Sequence, residues 1–446
     1  MDLLKKIFDA GVVGAGGAGF PTHKKFSDGL RLLLINAAEC EPLLCSDRFI
    51  MRNFPAEIIK ALVALKNEFK IPRVVIGTKK KYVREITALK KEITSQGADI
   101  EIFTVSSFYP AGDEQIMIYE VTGETVPPGG IPPMLNIAVI NVTTAHNIYR
   151  AMHGTAVTRR YVTVNGEVGQ PMIVDAPVGT KLSEIINAAG GASDDAYKVI
   201  KGGPMMGPQF SREESENLVI GKADGGIVVL PETHPLIQFS AKSIKHMILR
   251  AKSVCIQCSY CTEMCPRYLI GHRLRPNRVM RSIATGTCET ELTDALLCCE
   301  CGVCELFACP MMLSPRKINT HVKGLLRESG ISNINKAVYE AQTEPREYRR
   351  ISQKRIINRL RLGDYPTELE NVVYLEPKEV CLPLKHGVGK PAVPTVKAGD
   401  TIETGDPVAG VDFSDVGCMV HSPISGVVTA VDDKGVTIKR NEEAGK

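Results

Sequence analysis

The sequence predicts a multidomain α/β chain, and three observations carry that expectation. Strand and helix patterns alternate over residues 30–142, cysteines crowd a helix-prone stretch over residues 240–345, and the tail is built of short strands broken by Gly and Asp. At 446 residues the chain exceeds one ordinary core, because a domain takes roughly 100–200 residues. Net charge is only +4 with both signs mixed along the length, so no strong field points to nucleic acid or a membrane surface. No run reaches the roughly 18 apolar residues of a membrane span. Lys5 and Lys6 lead into glycine punctuation rather than into the continuous apolar region of a secretory signal.

The first unit, residues 1–157, carries the β-rich runs RLLLINA, RVVIG, DIEIFTV and IAVINV. Between them PAEIIKALVALKNEF places Ile58, Ile59, Leu62, Val63 and Leu65 at helix spacing, so a largely parallel sheet is expected. ETVPPGGIPP, residues 124–133, reads as a loop over that sheet. Residues 158–237 change character: two strands around an Asn165-Gly166 turn and a short helix opening at Thr180 or Ser183 suit a small β-grasp-like domain. Residues 238–345 form the helical cysteine-bearing unit, residues 346–378 an arginine-rich linker, and residues 379–446 an all-β domain.

The chain has fourteen cysteines, and their concentration between residues 255 and 309 favours metal binding over a disulfide framework. Cys255-x2-Cys258-x2-Cys261-x3-Cys265-Pro266 matches the bacterial ferredoxin run, and Cys298-x2-Cys301-x2-Cys304-x4-Cys309-Pro310 repeats it with one extra residue. Three thiolates two residues apart can converge on one cubane from a tight turn, whereas zinc sites usually show two C-x2-4-C pairs. In two-cluster ferredoxins the fourth cysteine serves the other cluster. That assigns Cys255, Cys258, Cys261 and Cys309 to one [4Fe–4S] centre and Cys298, Cys301, Cys304 and Cys265 to the second. Cys299 lacks the x2 spacing to Cys301, and Cys40, Cys45, Cys288, Cys381 and Cys418 belong to no motif and read mostly as buried thiols.

Near the start, Gly14-Ala15-Gly16-Gly17-Ala18-Gly19 is followed by His23, Lys24 and Lys25. Glycines let backbone N–H groups approach an anionic or planar ligand, and the lysines supply charge for a phosphate; a tight turn with no ligand would look similar. A dinucleotide fingerprint should follow a strand, and only KIFDAGVV precedes this loop, which argues against a Rossmann NAD site there.

GAGGAGFPTHKKF resembles the FMN loop of the flavin subunit of respiratory complex I, and NAAECEP, YPAGDE and NVTTAHNI resemble three further segments of that family in the same order. The resemblance implies a Rossmann-like FMN-binding domain. Gly14, Gly16, Gly17, Gly19 and Lys25 would wrap the FMN phosphate and ribityl chain. Asn36, Glu39, Glu41, Tyr109, Gly112, Asp113, Glu114 and Asn141 would line the flavin and nicotinamide pocket. The family arginine within the glycine run is Ala15 here, and the aspartate before the first glutamate is Ala38. Residues 159–207, with KGGPMMG, resemble the soluble-ligand-binding β-grasp (SLBB) module, and the tail from about residue 380 resembles the barrel-sandwich hybrid of biotinyl and lipoyl domains. It lacks a Met-Lys-Met type hairpin, so no covalently modified lysine is expected.

The order of these units, with the barrel-sandwich after the flavin domain rather than before it as in the RnfC component of the Rnf complex, is similar to the cobalamin reductases of propanediol-utilisation microcompartments. That resemblance implies an NADH-dependent oxidoreductase with FMN and two [4Fe–4S] clusters, taking cob(III)alamin through cob(II)alamin to cob(I)alamin. Its implied partners are cobalamin, a corrinoid adenosyltransferase and microcompartment shell or cargo proteins. The implied location is the cytoplasm, with the interior of a bacterial microcompartment as a further expectation. Two other readings stay open: an Rnf-like component passing electrons from NADH to a protein, and a non-catalytic docking protein.

Overall fold

The computed structural model describes residues 2–286, 289–332, 334 and 343–441; Cys288 lies outside them. After helix α1 (Asp2–Asp9), the first sheet takes β1 (Leu32–Ala37), β2 (Arg73–Lys79) and β3 (Glu101–Val105), then, past the two-residue β4 (Phe108–Tyr109), β5 (Ile137–Asn141). Its order is β3-β2-β1-β5 and every pair is parallel. Leu33 and Ile35 face one core and Leu32 and Leu34 the other, so both faces are covered, as a parallel sheet requires. Helices α2 (Ser46–Asn53), α3 (Pro55–Glu68), α4 (Val83–Ser95), α5 (Glu114–Thr122) and α6 (Val142–Met152) surround it. Proline at the first position opens α3, and Ile58, Ile59, Leu62 and Leu65 form its buried stripe. The Asp113 side chain caps α5 by accepting from the Gln115 and Ile116 amides, and left-handed Gly123 ends it.

The second sheet holds β6 (Arg159–Gly166), β7 (Met172–Pro177), β8 (Tyr197–Lys201), β9 (Gln209–Ser211) and β10 (Gly226–Pro231), with helix α7 (Leu182–Ala188). Strand β6 pairs antiparallel with β7 and parallel with β10. Asn165-Gly166 does not form the hairpin turn expected from the sequence: it ends β6, where a Cβ on Gly166 would lie 2.0 Å from the Val229 carbonyl. Pairing with β10 carries the strand through the dipeptide, an example of tertiary context overriding turn propensity.

The cysteine-bearing unit packs helices Ile244–Val254, Pro276–Thr285 and Pro315–Glu328 around Met247, Val279, Met280, Ile318 and Val322. The connector that follows is structured. It contributes β11 (Ile351–Ser352), antiparallel to β4, and β12 (Val372–Tyr374), which extends the second sheet beside β7. The all-β unit then lays β13 (Glu379–Leu382), β14 (Val393–Pro394), β15 (Thr401–Ile402), β16 (Pro407–Gly410), β17 (Val420–His421), β18 (Gly426–Val431) and β19 (Val436–Arg440) into two small sheets around one core. A further core draws Leu43 and Tyr109 from the first unit, Met205 and Val228 from the second, Cys301 and Val303 from the third and Ile351 and Ile356 from the connector. Among the described residues, no helix is long and apolar enough to cross a membrane.

Candidate functional site

Strand order reverses at β1, which leads to β2 on one side while β5 returns on the other. Ligands of open α/β sheets bind outside the carboxyl ends of the strands at such a switch point. Asn36 and Asn141, register partners in β1 and β5, lie there. Each commits its amide to the protein. Asn36 Nδ2 donates to the Gly112 carbonyl at 2.7 Å, whereas Asn141 caps α6 through the Thr143 amide and donates to Asp47 Oδ2 at 2.7 Å. Gly112 packs tightly, since a Cβ would lie 2.6 Å from the Ala38 carbonyl and 3.1 Å from Cys40 Sγ.

Two carboxyls follow β1. Glu39 Oε1 accepts weakly from the Ser46 hydroxyl and the Asp47 amide, while its Oε2 is buried with no protein partner. Burial and the neighbouring Asp47 carboxylate push the Glu39 carboxyl up to about 8. Glu41 is pushed up to about 7 by burial, against the hydrogen bond from the Met205 amide at 2.9 Å, with the Tyr109 hydroxyl farther off at 3.4 Å. The Tyr109 hydroxyl donates to the Cys301 carbonyl at 2.7 Å, which ties this crevice to the cysteine-bearing unit. A second tie is the largely buried ion pair of Asp113 with Arg267 at 2.8 Å.

The glycine-rich loop follows a helix, not a strand, and closes on itself through a Val13–Pro21 bridge. Gly16, Gly17 and Ala18 are exposed, and a Cβ at Gly17 would meet no atom within 4 Å, so that position borders open space. A Cβ at Gly16 would point at the Asn141 side chain 3.5 Å away. Gly14 keeps ordinary clearance, whereas Gly19 is buried against the main chain at His386. Ala15 is held at its amide by Thr144 Oγ1 and at its carbonyl by the Arg160 guanidinium, both at 2.9 Å. Lys25 donates to the Val139 carbonyl in the middle of β5; burial lowers its pKa and the charge of Glu114, exposed on the first turn of α5, opposes that.

Both cysteine runs use one backbone device. Gln257 and Ser259 in the first run, and Glu300 and Gly302 in the second, have positive φ at the same offsets from the leading cysteine. The extra residue before Cys309 is absorbed as a π-helix over Val303–Ala308, where the first run has an α-helical turn over Tyr260–Glu263. One cavity is lined by Cys255, Cys258, Cys261 and Cys309, with Met280, Pro310 and Leu313. A second is lined by Cys265, Cys298, Cys299, Cys301 and Cys304, with Leu274 and Pro276. Among the described residues, no three His, Cys, Asp or Glu side chains converge on a position for a single ion, so the thiols frame cavities rather than points. Amides of Glu300 and Leu313 lie 3.4 Å from Cys298 Sγ and Cys309 Sγ, the kind of donor that tunes a cluster.

The donor sets therefore fit cubane clusters, and an exposed glycine loop against Asn141, in a crevice that also holds an unpartnered glutamate oxygen after β1, fits a flavin. Sequence reasoning missed Asp47, which joins Asn141 and Thr143 across the crevice, and the buried Arg160 and Lys79. Lys79 Nζ donates to the Glu39 carbonyl at 2.7 Å. No motif marks these positions, and Lys79 ends a strand that also carries Arg73 and Thr78, so its burial is not signalled by composition.

Residues 7–150 match the Nuo51 FMN-binding domain, 161–209 the SLBB domain, 254–314 the 4Fe-4S dicluster domain and 366–444 the RnfC barrel sandwich hybrid domain. These define a flavin- and iron–sulfur-bearing electron-transfer protein of the oxidoreductase class. The relatives are more particular. Cobalamin reductase PduS of Salmonella typhimurium is 37% identical, covering 98% of this chain and 96% of its own length. The PduS of Citrobacter freundii is equally similar. A component of the Na(+)-translocating ferredoxin:NAD(+) oxidoreductase complex of Acetobacterium woodii is 32% identical, covering 60% of this chain and 58% of its own. The chain belongs to the cobalamin reductase PduS family. Its fold also resembles a chain of an NAD+-reducing [NiFe]-hydrogenase, with TM-score 0.50 and 19% identity over 77% of this chain and 64% of that one.

Proposed function

We propose that this chain carries electrons from NADH, by way of FMN and two [4Fe–4S] clusters, to the cobalt of cobalamin. FMN supplies the exchange between a two-electron hydride and single electrons. Each NADH gives two electrons, enough to take one cob(III)alamin to cob(I)alamin. The observation that carries the reading is the hydrogen bond from Tyr109 in the flavin crevice to the Cys301 carbonyl beside the second thiol cavity. A donor site and a single-electron site built into one shared core suit transfer between them.

In this reading Gly14, Gly16, Gly17, Gly19 and Lys25 hold the FMN phosphate and ribityl chain, while Asn36 and Asn141 fix the crevice walls through Gly112 and Asp47. Glu39, Glu41, Tyr109, Gly112, Asp113 and Glu114 border the flavin and nicotinamide. Cys255, Cys258, Cys261 and Cys309 hold one cluster, and Cys265, Cys298, Cys301 and Cys304 the other. The similarity to PduS further supports a place in a bacterial microcompartment, beside a corrinoid adenosyltransferase and shell or cargo proteins.

The test is anaerobic: the reconstituted protein is mixed with NADH and hydroxocobalamin, and the corrin spectrum is followed with an alkylating trap for cob(I)alamin. Trapped alkylcobalamin is the expected product. Bleaching of flavin and clusters with an unchanged corrin spectrum would move the acceptor to a protein partner.

A further inference from the structure

The all-β unit has no assigned task in this chain, and the lysine hairpin of a covalent carrier is absent. Its placement gives it one. Gly19, at the end of the glycine-rich loop, and Gly387, on the connection from β13 to β14, cross back to back. A Cβ on Gly19 would lie 2.2 Å from the His386 carbonyl and 2.9 Å from the Gly387 Cα. A Cβ on Gly387 would lie 2.3 Å from the Ala18 carbonyl and 2.7 Å from the Gly19 Cα. Both residues have positive φ, so only glycine makes the crossing without strain. The Val388 amide then donates to the Ala18 carbonyl at 3.1 Å.

Just past the crossing, at His23 and Lys24, the same unit grips the loop again. Phe413 packs on Phe8 and His23 with ring centroids 5.2 and 5.3 Å apart, and Lys24 Nζ donates to the Ser414 carbonyl at 2.9 Å. The segment from Ala18 to Lys24 is thus held at both ends by a domain from the far end of the chain, 390 positions away at the Lys24–Ser414 contact. Thr144 and Arg160 hold the other leg of the loop at Ala15.

We propose that the C-terminal all-β unit is a clamp that sets the conformation of the glycine-rich loop and thereby the affinity for FMN; this rests on the reading that the loop wraps the flavin. Gly387 and Phe413 are positioning residues, acting through Ala18, Gly19 and His23. A loop whose N–H groups are already aimed spends less conformational entropy on binding its ligand. The role differs from that of a swinging carrier, because the unit works by staying docked.

Full-length chain is purified anaerobically as wild type, Phe413→Ala, Phe413→Tyr, Gly387→Val and Gly17→Val. FMN affinity is titrated after flavin removal, alongside iron per chain and the far-ultraviolet circular dichroism. Phe413→Ala is expected to weaken FMN binding about tenfold at unchanged iron content, from two lost aromatic contacts, with Phe413→Tyr near wild type. Gly387→Val is expected to lose flavin outright. If Gly387→Val fails to fold, Phe413→Ala decides alone. Wild-type affinity in Phe413→Ala, with Gly17→Val flavin-free, would overturn the clamp and leave the loop reading intact. Retention of FMN by Gly17→Val would overturn the loop reading, and the clamp with it.

Discussion

Tyr109 and Cys301, separated by 192 positions in sequence, share a 2.7 Å hydrogen bond from phenol to main-chain carbonyl at the junction of the β1 crevice and the second thiol cavity. Tyr109 is buried, so the phenol has no solvent to turn to. Tyr109→Phe removes that donor and is expected to cost about 1–3 kcal/mol of stability. It should also shift the midpoint potential of the nearer cluster while FMN stays bound. Denaturant titration and potentiometric EPR check both; an unmoved potential would show that the bond is purely structural.

The protonation of Glu41 gives a pH dependence with a defined sign. The unfolded chain releases this proton near 4.5 and the folded protein near about 7, so between those values the native state binds more protons. Stability therefore falls as pH rises through that window, by up to ~1.4 kcal/mol per unit, and this contribution is flat above it. Glu41→Gln should flatten thermal stability between pH 5 and 7, read by calorimetry as the melting temperature against pH.

Adjacent cysteines should behave differently. Cys298→Ala is expected to remove one cluster and about half of the iron, because Cys298 keeps the ferredoxin spacing to Cys301. Cys299→Ser should keep both clusters, although Cys299 lines the same cavity. Iron analysis and low-temperature EPR distinguish them, and equal iron loss in both would require a reassigned ligand set.

Asp113 joins two tasks, capping α5 and pairing with Arg267 across the boundary between units. Asp113→Asn keeps a cap oxygen but takes from the buried guanidinium its paired carboxylate, leaving only Cys299 and Glu114 to favour its charge, which is expected to cost about 3 kcal/mol. Loss of only about 1 kcal/mol in urea unfolding would mean that the pair is solvated in solution.

What the sequence could convey was local chemistry. The cysteine spacing, the glycine run and the stripe of α3 each state their role within a few residues, and the strand patterns of the first unit correspond to β1, β2, β3 and β5. The crevice was legible at Asn36, Glu39 and Glu41, which lie at or just past the end of a recognisable strand. Asp47, Arg160 and Lys79 were not, because each is defined by a partner on another element, as Asp47 is by Asn141, 94 positions away. The connector was opaque for the same reason: short strands such as β11 and β12 acquire their structure from the edges they join, β4 and β7, rather than from their own propensity.

The pairing of β12 with β7 also bears on synthesis at the ribosome. Every residue of β7 is buried, and until residues 372–374 emerge that strand is an open edge of the second sheet. The nascent chain therefore carries a sticky, unpaired border through the whole synthesis of the cysteine-bearing unit. A product ending before β12 is therefore expected to be prone to sheet-to-sheet association through β7, which makes the connector the cover of that edge.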